Sequence, residues 1–506
     1  MVSSIYSPTT GCDFDPSLKL NQRYRHPFGD KRLANQYEVF DFELTSNQTS
    51  VIQNLGKKHT DVTNFYRFLH NPYVELDELI YQSTRINPAI IKDRNILAII
   101  DESIISILGL FLTKDDLIEN LGIGANNFGV GTHCVPCLLM DADSGAILGL
   151  AEILMFKVPK ASKDSEQNTK NQQLRSKNLD FADRSSSFWN VVKKNAMLHL
   201  KEAKSVLFIM DQGAFFAENL LTMTKEGLEQ GEFLTRANLS TNRQIRNSLG
   251  ETEMFFDFLE SAACVDTQMK DIKALNHYSS TKKKRKTRQA RKGILKLKFG
   301  TFSILPTASC SKSYPTDAQQ IYYVDVEEDM STVPENESPI HWCLVSNRPI
   351  NTIEQAWQLV DHYQSRWFIE QLFRILKNQG FDIEHTHLRD AEAIKKLVVM
   401  TLKSSVDALQ LVSSRDNLDL PIETQFNEEE QALLNVLNDT LEGRTEKQRN
   451  PFPKKSLAYG SWIIARLTGH SGYSYHKPPG PIIMTVGLEK FRYACWVNSA
   501  IIKNSE

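Results

Sequence analysis

Two apolar runs of strand length, Asn95–Ile100 and Ser205–Met210, each end abruptly in an aspartate, Asp101 and Asp211. An aspartate after a strand ordinarily opens a turn or caps a helix, and Asp141 and Asp143, inside the turn sequence Asp141–Gly145, read that way. Strand ends are also where α/β folds set their sites. Asp101 and Asp211 therefore gain meaning if a third carboxylate can join them, and Glu370 is the residue placed to do so. Tyr363, Arg366, Glu370, Arg374 and Lys377 follow one another at intervals of 3, 4, 4 and 3, which on a continuous helix puts them on one face. Phe368, Ile369, Leu372, Ile375 and Leu376 take the other face, to dock on a sheet. Charges on an exposed helix are commonly i,i+4 pairs worth roughly 0.2–0.5 kcal/mol each. One acid among three cations and a phenol, beside two strand-end aspartates, instead suits a metal ligand bordered by phosphate contacts.

The chemistry such a set could do is phosphodiester cleavage, which needs an activated water or 3′-hydroxyl and a stabilised leaving oxygen. Two Mg²⁺ ions about 3.5–4 Å apart supply both. Hard, octahedral Mg²⁺ prefers oxygen ligands and keeps some of its waters, so three carboxylates shared by two ions, with Mn²⁺ as a substitute, make a workable site without histidine or thiolate.

The elements that must position these residues follow a recognisable order. Asn95–Ile100, Val135–Met140 and Ala146–Phe156 read as three strands, the last two joined by the Asp141–Gly145 hairpin turn. A helical stretch over 185–203 leads into Ser205–Met210, and Ala214–Lys225 is helical again. Residues 231–347 revert to short strands and turns, broken by a basic tract and by the acidic segment Asp325–Glu337. Helical patterns resume over 352–380 and 391–414, then 428–441 and 455–467. The expected fold is α/β: a ribonuclease-H-like catalytic core over 76–415 with a β-rich insertion at about 231–347. Helical domains over 1–75 and 416–506 flank it. Element order is a fold-level analogy and does not establish chemistry.

Tyr363-x2-Arg366-x3-Glu370-x6-Lys377 resembles the signature of insertion-sequence-4-family DDE transposases, the group that includes the Tn5 transposase. The resemblance runs from Phe28–Leu33 and Tyr66–Pro72 through Asp101, Asp211 and Trp342 to Trp462–Leu467 and Pro478–Pro481, nearly the whole chain. It implies that Asp101, Asp211 and Glu370 are the metal-binding catalytic triad, and that Tyr363, Arg366 and Lys377 hold phosphates beside the scissile bond. It also implies that Trp342, 21 residues before Tyr363, stacks on a base flipped from the transposon end. Stacking and unstacking are both of order a few kcal/mol; on physical grounds alone a core tryptophan on a strand is an equal reading. One departure stands out: many relatives carry arginine after the second aspartate, where this chain has Gln212, so a local phosphate contact is in doubt.

Lys282–Lys298 holds ten Lys/Arg and no acid, and its end runs into the alternating Ile294–Phe299. Such a run is usually a solvated face; within the insertion of a DNA enzyme, phosphate neutralisation with counterion release explains it better. Lys282, Lys283, Lys284, Arg285, Lys286, Arg288, Arg291 and Lys292 are the expected contacts, with Arg374 and, at the end of the strand-like Phe233–Thr235, Arg236 extending the surface. His133-Cys134-x2-Cys137 invites a zinc reading, but no second ligand pair follows at a suitable spacing, and a strand bearing two small buried residues is commoner.

Composition bounds the rest. The 506 residues are 41% apolar with a net charge of −2, so only local clustering can speak for an anionic partner. Seven scattered cysteines do not make a secreted disulfide framework. No basic-then-apolar leader and no run of eighteen apolar residues is present, so a cytoplasmic, nucleoid-associated protein without membrane contact is expected. No phosphate-cradling glycine loop calls for ATP. The expectation is cut-and-paste transposition by a homodimer on transposon-end inverted-repeat DNA and target DNA. Nicking, a hairpin intermediate and strand transfer by a 3′-hydroxyl follow from the resemblance. A non-catalytic DNA-binding inhibitor or domesticated derivative, and a metal nuclease without strand transfer, are the two alternatives.

Overall fold

The computed structural model describes residues 27–56, 58–108, 120–122, 124, 129–157, 188–226, 231–239, 242–272, 275–279, 284–306, 318–378, 380–472 and 477–505. The chain is mixed α/β, and its contacts divide it into two compact units, one of residues 1–173, 183–206 and 367–506, the other of 174–182 and 207–366.

Among the described residues of the first unit, helices α1 (Lys31–Asn47), α2 (His59–Leu69), α3 (Leu76–Thr84) and the short α4 (Pro88–Ile91) come first. Asp30 starts α1 by accepting the Arg32 amide at 2.7 Å, which satisfies one of the helix's unpaired N–H groups. The Phe40 and Phe65 rings stack at 4.6 Å within this apolar packing. β1 (Asn95–Ile100) and β2 (Ser103–Ile107) both pair antiparallel with one edge of β3 (Val130–Asp141), and β4 (Ile147–Phe156) pairs with β3 as the other arm of a hairpin. Gly145, at φ +74°, gives the turn its left-handed residue. Asp141 accepts the amides of Asp143 and Ser144 there, so these aspartates do turn work as expected.

The later helices belong to the same unit: α5 (Phe188–His199), then, after the second unit's elements, α9 (Trp367–Lys377), α10 (Ala391–Ser414), α11 (Glu428–Leu441), α12 (Leu457–Leu467) and α13 (Pro481–Ser505). α10 is buried nearly all round, with Leu397, Val398, Val399 and Met400 in sequence at 0% exposure. It packs against β4, α1, α3, α9, α12 and α13, which is what an apolar helix without a polar face requires.

In the second unit β5 (Ser205–Met210) continues into a short 3-10 turn, Gln212–Ala214, and α6 (Ala217–Lys225). From Leu207 to Met210 it pairs parallel with β6 (Glu232–Arg236), and the intervening helix is the crossover that parallel pairing demands. Antiparallel strands extend the sheet through β14 (His341–Ser346), β13 (Gln319–Glu328) and β12 (Arg291–Ile304) to β7 (Gln244–Arg246) and β8 (Thr252–Met254). α7 (Phe255–Ser261) follows β8, and β9 (Asp266–Ile272) also pairs with β12. β10 (Leu275–Ser279) and β11 (Lys284–Arg288) make a separate two-stranded ribbon. The described part of residues 231–347 is thus mostly strands, with the helix α7 and the 3-10 turn Met330–Thr332 among them.

One expectation is corrected. The helical pattern of 352–380 is two helices, α8 (Ile353–Gln364) and α9, separated by the turn Ser365–Arg366. The Ser365 amide donates to the His362 carbonyl at 3.0 Å and that of Arg366 to Tyr363 at 3.1 Å, i→i−3 bonds that tighten the end of α8 and stop its α-helical ladder.

Candidate active site

Asp101 follows β1 directly and is half-buried, accepting the Glu102 amide on Oδ1 at 2.9 Å. Glu102 in turn receives a hydrogen bond from His133 Nδ1 across the β2–β3 ladder, and the His133 ring lies stacked on Phe156 at 4.8 Å. In the sequence His133 reads only as part of a zinc-like motif, and no spacing singles out Glu102. The neighbouring cysteines of that motif, Cys134 and Cys137, are fully buried on β3, and burial pushes the Cys134 thiol up to about 12.

Glu370 sits in the first turn of α9 with its side chain exposed, where the helix N-terminus favours a negative charge. Ile369, Leu372, Ile375 and Leu376 are buried beneath it, so the helix docks by the apolar side that the periodicity indicated. Arg374 is exposed. Lys377 is not: only 20% exposed, its ammonium donates to the Ile104 carbonyl at 2.6 Å and lies 3.3 Å from Glu384 Oε1. Asp101, Glu370 and Lys377 all belong to the first unit.

Asp211 belongs to the second unit. It ends β5 in extended backbone, φ −77° and ψ 173°, at the start of the 3-10 turn. Its carbonyl accepts the Thr235 hydroxyl at 2.8 Å and the Ala214 amide at 2.9 Å. Those bonds fix the backbone and leave the carboxylate to point elsewhere. Arg236, at the end of the adjacent parallel strand, donates to Gln212 Oε1 at 3.2 Å and stands 3.6 Å from Asp211 Oδ1. That oxygen is buried and makes no hydrogen bond among the described residues.

Tyr363 is buried in the last turn of α8, and Arg366 is half-buried in the turn that follows. With the helix broken between them and Glu370, the single five-residue face expected from spacing reduces to Glu370, Arg374 and Lys377 on α9. Trp342 is half-buried on β14, opposite Val326; the next three residues of that strand, Cys343, Leu344 and Val345, are fully buried.

The basic tract divides. Lys282 and Lys283 lie outside the described residues, and Lys284, Arg285 and Lys286 are described as backbone of β11 alone. Arg288 is half-buried and Lys292 exposed. Arg291 is committed elsewhere: its guanidinium grips the fully buried Glu328 carboxylate through two bonds, at 3.0 and 2.9 Å, and also binds Glu337. Lys296 pairs with Asp329 at 2.7 Å, and Lys298 donates to the Leu259 carbonyl. Half of the acidic segment thus neutralises the end of the basic one.

Asp101, Asp211 and Glu370 carry carboxylate oxygens, the kind hard divalent cations prefer, and Asp211 Oδ1 is one of the buried oxygens without a hydrogen bond among the described residues. Among the described residues no three His, Cys, Asp or Glu side chains are gathered as a ready metal cluster. No helix among them is long and apolar enough to cross a membrane.

The molecule is thus an α/β protein with acidic residues at the ends of two buried strands and a third on a docked helix. Residues 188–405 match the family model described as the transposase DDE domain. The match supports a DDE transposase, an enzyme acting on DNA. Its span takes in Asp211, Trp342, Tyr363, Arg366, Glu370 and Lys377; Asp101 lies outside it.

Proposed function

We propose that the chain is a transposase of the insertion-sequence-4 type, cutting a mobile DNA element from its ends and joining it to new DNA with Asp101, Asp211 and Glu370 as the metal-binding carboxylates. The observation that carries this reading is the match to the transposase DDE domain over a span containing Asp211 and Glu370. Asp211 Oδ1 supports it, being buried without a hydrogen bond and with Arg236 at 3.6 Å as its ionic neighbour, which leaves it lone pairs for a cation.

Bound there, two Mg²⁺ or Mn²⁺ ions would supply activation of the attacking oxygen and stabilisation of the leaving one. The chain's own residues hold the substrate. Arg366, Arg374 and Arg236 are the cations that would grip phosphate oxygens, with the Tyr363 phenol beside them, and Lys284, Arg285, Lys286, Arg288 and Lys292 would extend the neutralised track. Trp342, half-buried rather than sealed in the core, would stack on a base displaced from the transposon end.

In the proposed sequence water attacks one strand at the element's end and releases a 3′-hydroxyl. That hydroxyl attacks the opposite strand to close a hairpin, water reopens the hairpin, and the regenerated 3′-hydroxyl attacks target DNA. A homodimer engaging two ends, through a C-terminal helical domain, completes the reading, with residues 1–75 as the end-recognition part.

The test is incubation of the purified protein with a duplex of the element's own terminal inverted repeat, plasmid target and Mg²⁺. Nicks, hairpins and joined products are expected in that order. Binding without any cleavage at all would replace this reading with the non-catalytic one, and cleavage without joining with the nuclease.

A further inference from the structure

In the second unit, α8 is fastened to β9 by side chains. The Trp357 indole Nε1 donates to Asp266 Oδ2 at 2.7 Å. Lys270 donates to both oxygens of Asp361, at 3.1 and 3.3 Å, and its ammonium stands 5.1 Å from the centre of the Trp357 ring. Trp357 and Asp361 lie about one turn apart on α8, and Asp266 and Lys270 share one face of β9, so each element presents two partners to the other. Trp357 is 4% exposed, and a buried indole N–H needs an acceptor. Its bond lowers the pKa of Asp266 below the ordinary carboxylate value, as bonding to the charged form does. Among the described residues β9 pairs with β12 alone, and a strand held by one ladder is among the easier parts of a sheet to open. The bonds to α8 give it a second attachment.

What the two elements lead to gives this joint a use. β9 ends at Ile272, three residues before the ribbon strand β10 begins, and the other ribbon strand, β11, carries Lys284, Arg285 and Lys286. α8 reaches Tyr363 six residues, or about 9 Å, beyond Trp357, and Arg366 follows in the turn. We propose that Trp357 and Asp266 are positioning residues that tie the root of the basic ribbon to the helix of Tyr363, so that ribbon and phosphate guides engage one duplex in a fixed register. Two basic parts joined firmly bind as one body, the second at high effective concentration once the first is seated; loosened, they neutralise the same phosphates with weaker overall affinity. No spacing in the sequence marks either residue. The role deepens the transposase reading and rests on it for the expected loss of cleavage.

Three variants of the full-length protein test it. Trp357→Phe keeps a ring and removes the N–H, Asp266→Ala removes the acceptor, and Asp266→Asn keeps an acceptor oxygen. Hydrogen exchange of peptides covering 266–272 should speed up about tenfold in the first two, the scale of one hydrogen bond to a charged group, and stay near wild type in Asp266→Asn. Binding of the terminal-repeat duplex should weaken about tenfold with an unchanged salt slope, because the coupling is lost and no phosphate contact is. Single-turnover cleavage should fall with it, and Asp266→Asn should keep most of both. Trp357→Phe with Asp266→Ala should cost little more than either alone. The Asp266 variants, at a half-buried position on an edge strand, carry the test if Trp357→Phe does not fold. Wild-type exchange of 266–272 in the folded variants overturns the joint. Faster exchange with wild-type binding and cleavage leaves a bond of stability alone and overturns the positioning role. Tighter duplex binding by both Asp266 variants, with Trp357→Phe like the wild type, makes Asp266 a charge that opposes DNA and also overturns it. Should the wild type never cut the duplex, the transposase reading falls, while the exchange of 266–272 in Trp357→Phe still decides whether the joint exists.

Discussion

Arg291 is the residue of the basic tract bonded to two carboxylates of its own chain, and Arg291→Met separates a structural role from a phosphate contact. Glu328 has a side-chain exposure of 0% and receives Arg291 Nε at 3.0 Å, Nη2 at 2.9 Å and the Ile340 amide at 3.1 Å. Removing the guanidinium leaves a buried carboxylate with the Ile340 amide as its remaining bond shown here. Stranding one partner of a buried pair costs about 3–5 kcal/mol; since Arg291 keeps 12% exposure and solvent can relax into its place, the lower end, about 3 kcal/mol, is the fitting figure. At 1.4 kcal/mol per factor of ten that is roughly a hundredfold increase in opening of the β12–β13 pair. Hydrogen exchange of peptides covering Ile294 and Asp329, whose main chains are bonded at 2.8 Å, should accelerate by that factor, and the salt slope of DNA binding should not move. Arg291→Met with Glu328→Leu should recover part of the loss, because the buried charge is gone with its partner. Wild-type exchange in Arg291→Met, together with a salt slope lower by about one, would refute the reasoning and return Arg291 to the phosphate track.

Glu370→Gln should abolish strand cleavage while binding to the terminal-repeat duplex persists, which a gel-shift and a cleavage gel on the same samples will show; normal cutting would remove Glu370 from the site. Trp342→Ala should still nick but form hairpins more slowly, and an unchanged hairpin yield would assign Trp342 to the sheet alone. Asp390 caps α10 by accepting the Ala393 amide at 2.8 Å, so Asp390→Ala should cost about 1 kcal/mol of stability in urea titration. His341 is held by a hydrogen bond to Asp325 at 2.7 Å, which raises its pKa above the usual imidazole value. Its stabilising contribution is therefore complete below the unfolded pKa and is lost as pH rises through the folded one. It is small for a side chain 36% exposed, and His341→Gln should flatten that part of the stability profile.

The strands bearing the two aspartates were legible in the sequence because each is an uninterrupted apolar run between polar residues, and β1 and β5 span the expected 95–100 and 205–210. α10 and α11 were legible for a similar reason, each starting at a side chain that caps it, Asp390 and Asn427. β2 was not. Its Ser-Ile-Ile-Ser-Ile is a strand because the first five residues of β3 lie beside it, a pairing no local pattern announces. The partners of Lys377 are hidden for the same cause, since Ile104 is 273 positions away. In the basic tract, a count of charges could not distinguish Arg291, which faces Glu328 inside the sheet, from Lys292, which faces outward. Gly293, the residue after Lys292, has a packing reason: a Cβ there would run into Ile272 Cδ1 and stand 2.8 Å from Glu328 Oε1.

The break at Ser365–Arg366 changes what the four-residue signature can be said to mean. Intervals of 3 and 4 set side chains on one face only while the helical phase of about 100° per residue runs on unbroken. Glu370, Arg374 and Lys377 keep that phase on α9, yet the structure sends them to different ends, two exposed and one bound to β2. Direction along a helix therefore does not decide what each side chain contacts; side-chain reach and the available acceptor do. Tyr363 and Arg366 lose the phase argument altogether, one closing α8 and the other in the turn. Their proposed hold on phosphate rests on the family signature and on the chemistry of a phenol and a guanidinium. The signature is thus better understood as separate positions in one stretch of chain, a helix end, a turn, exposed charges on the next helix and a lysine bonded to β2, than as a single charged stripe.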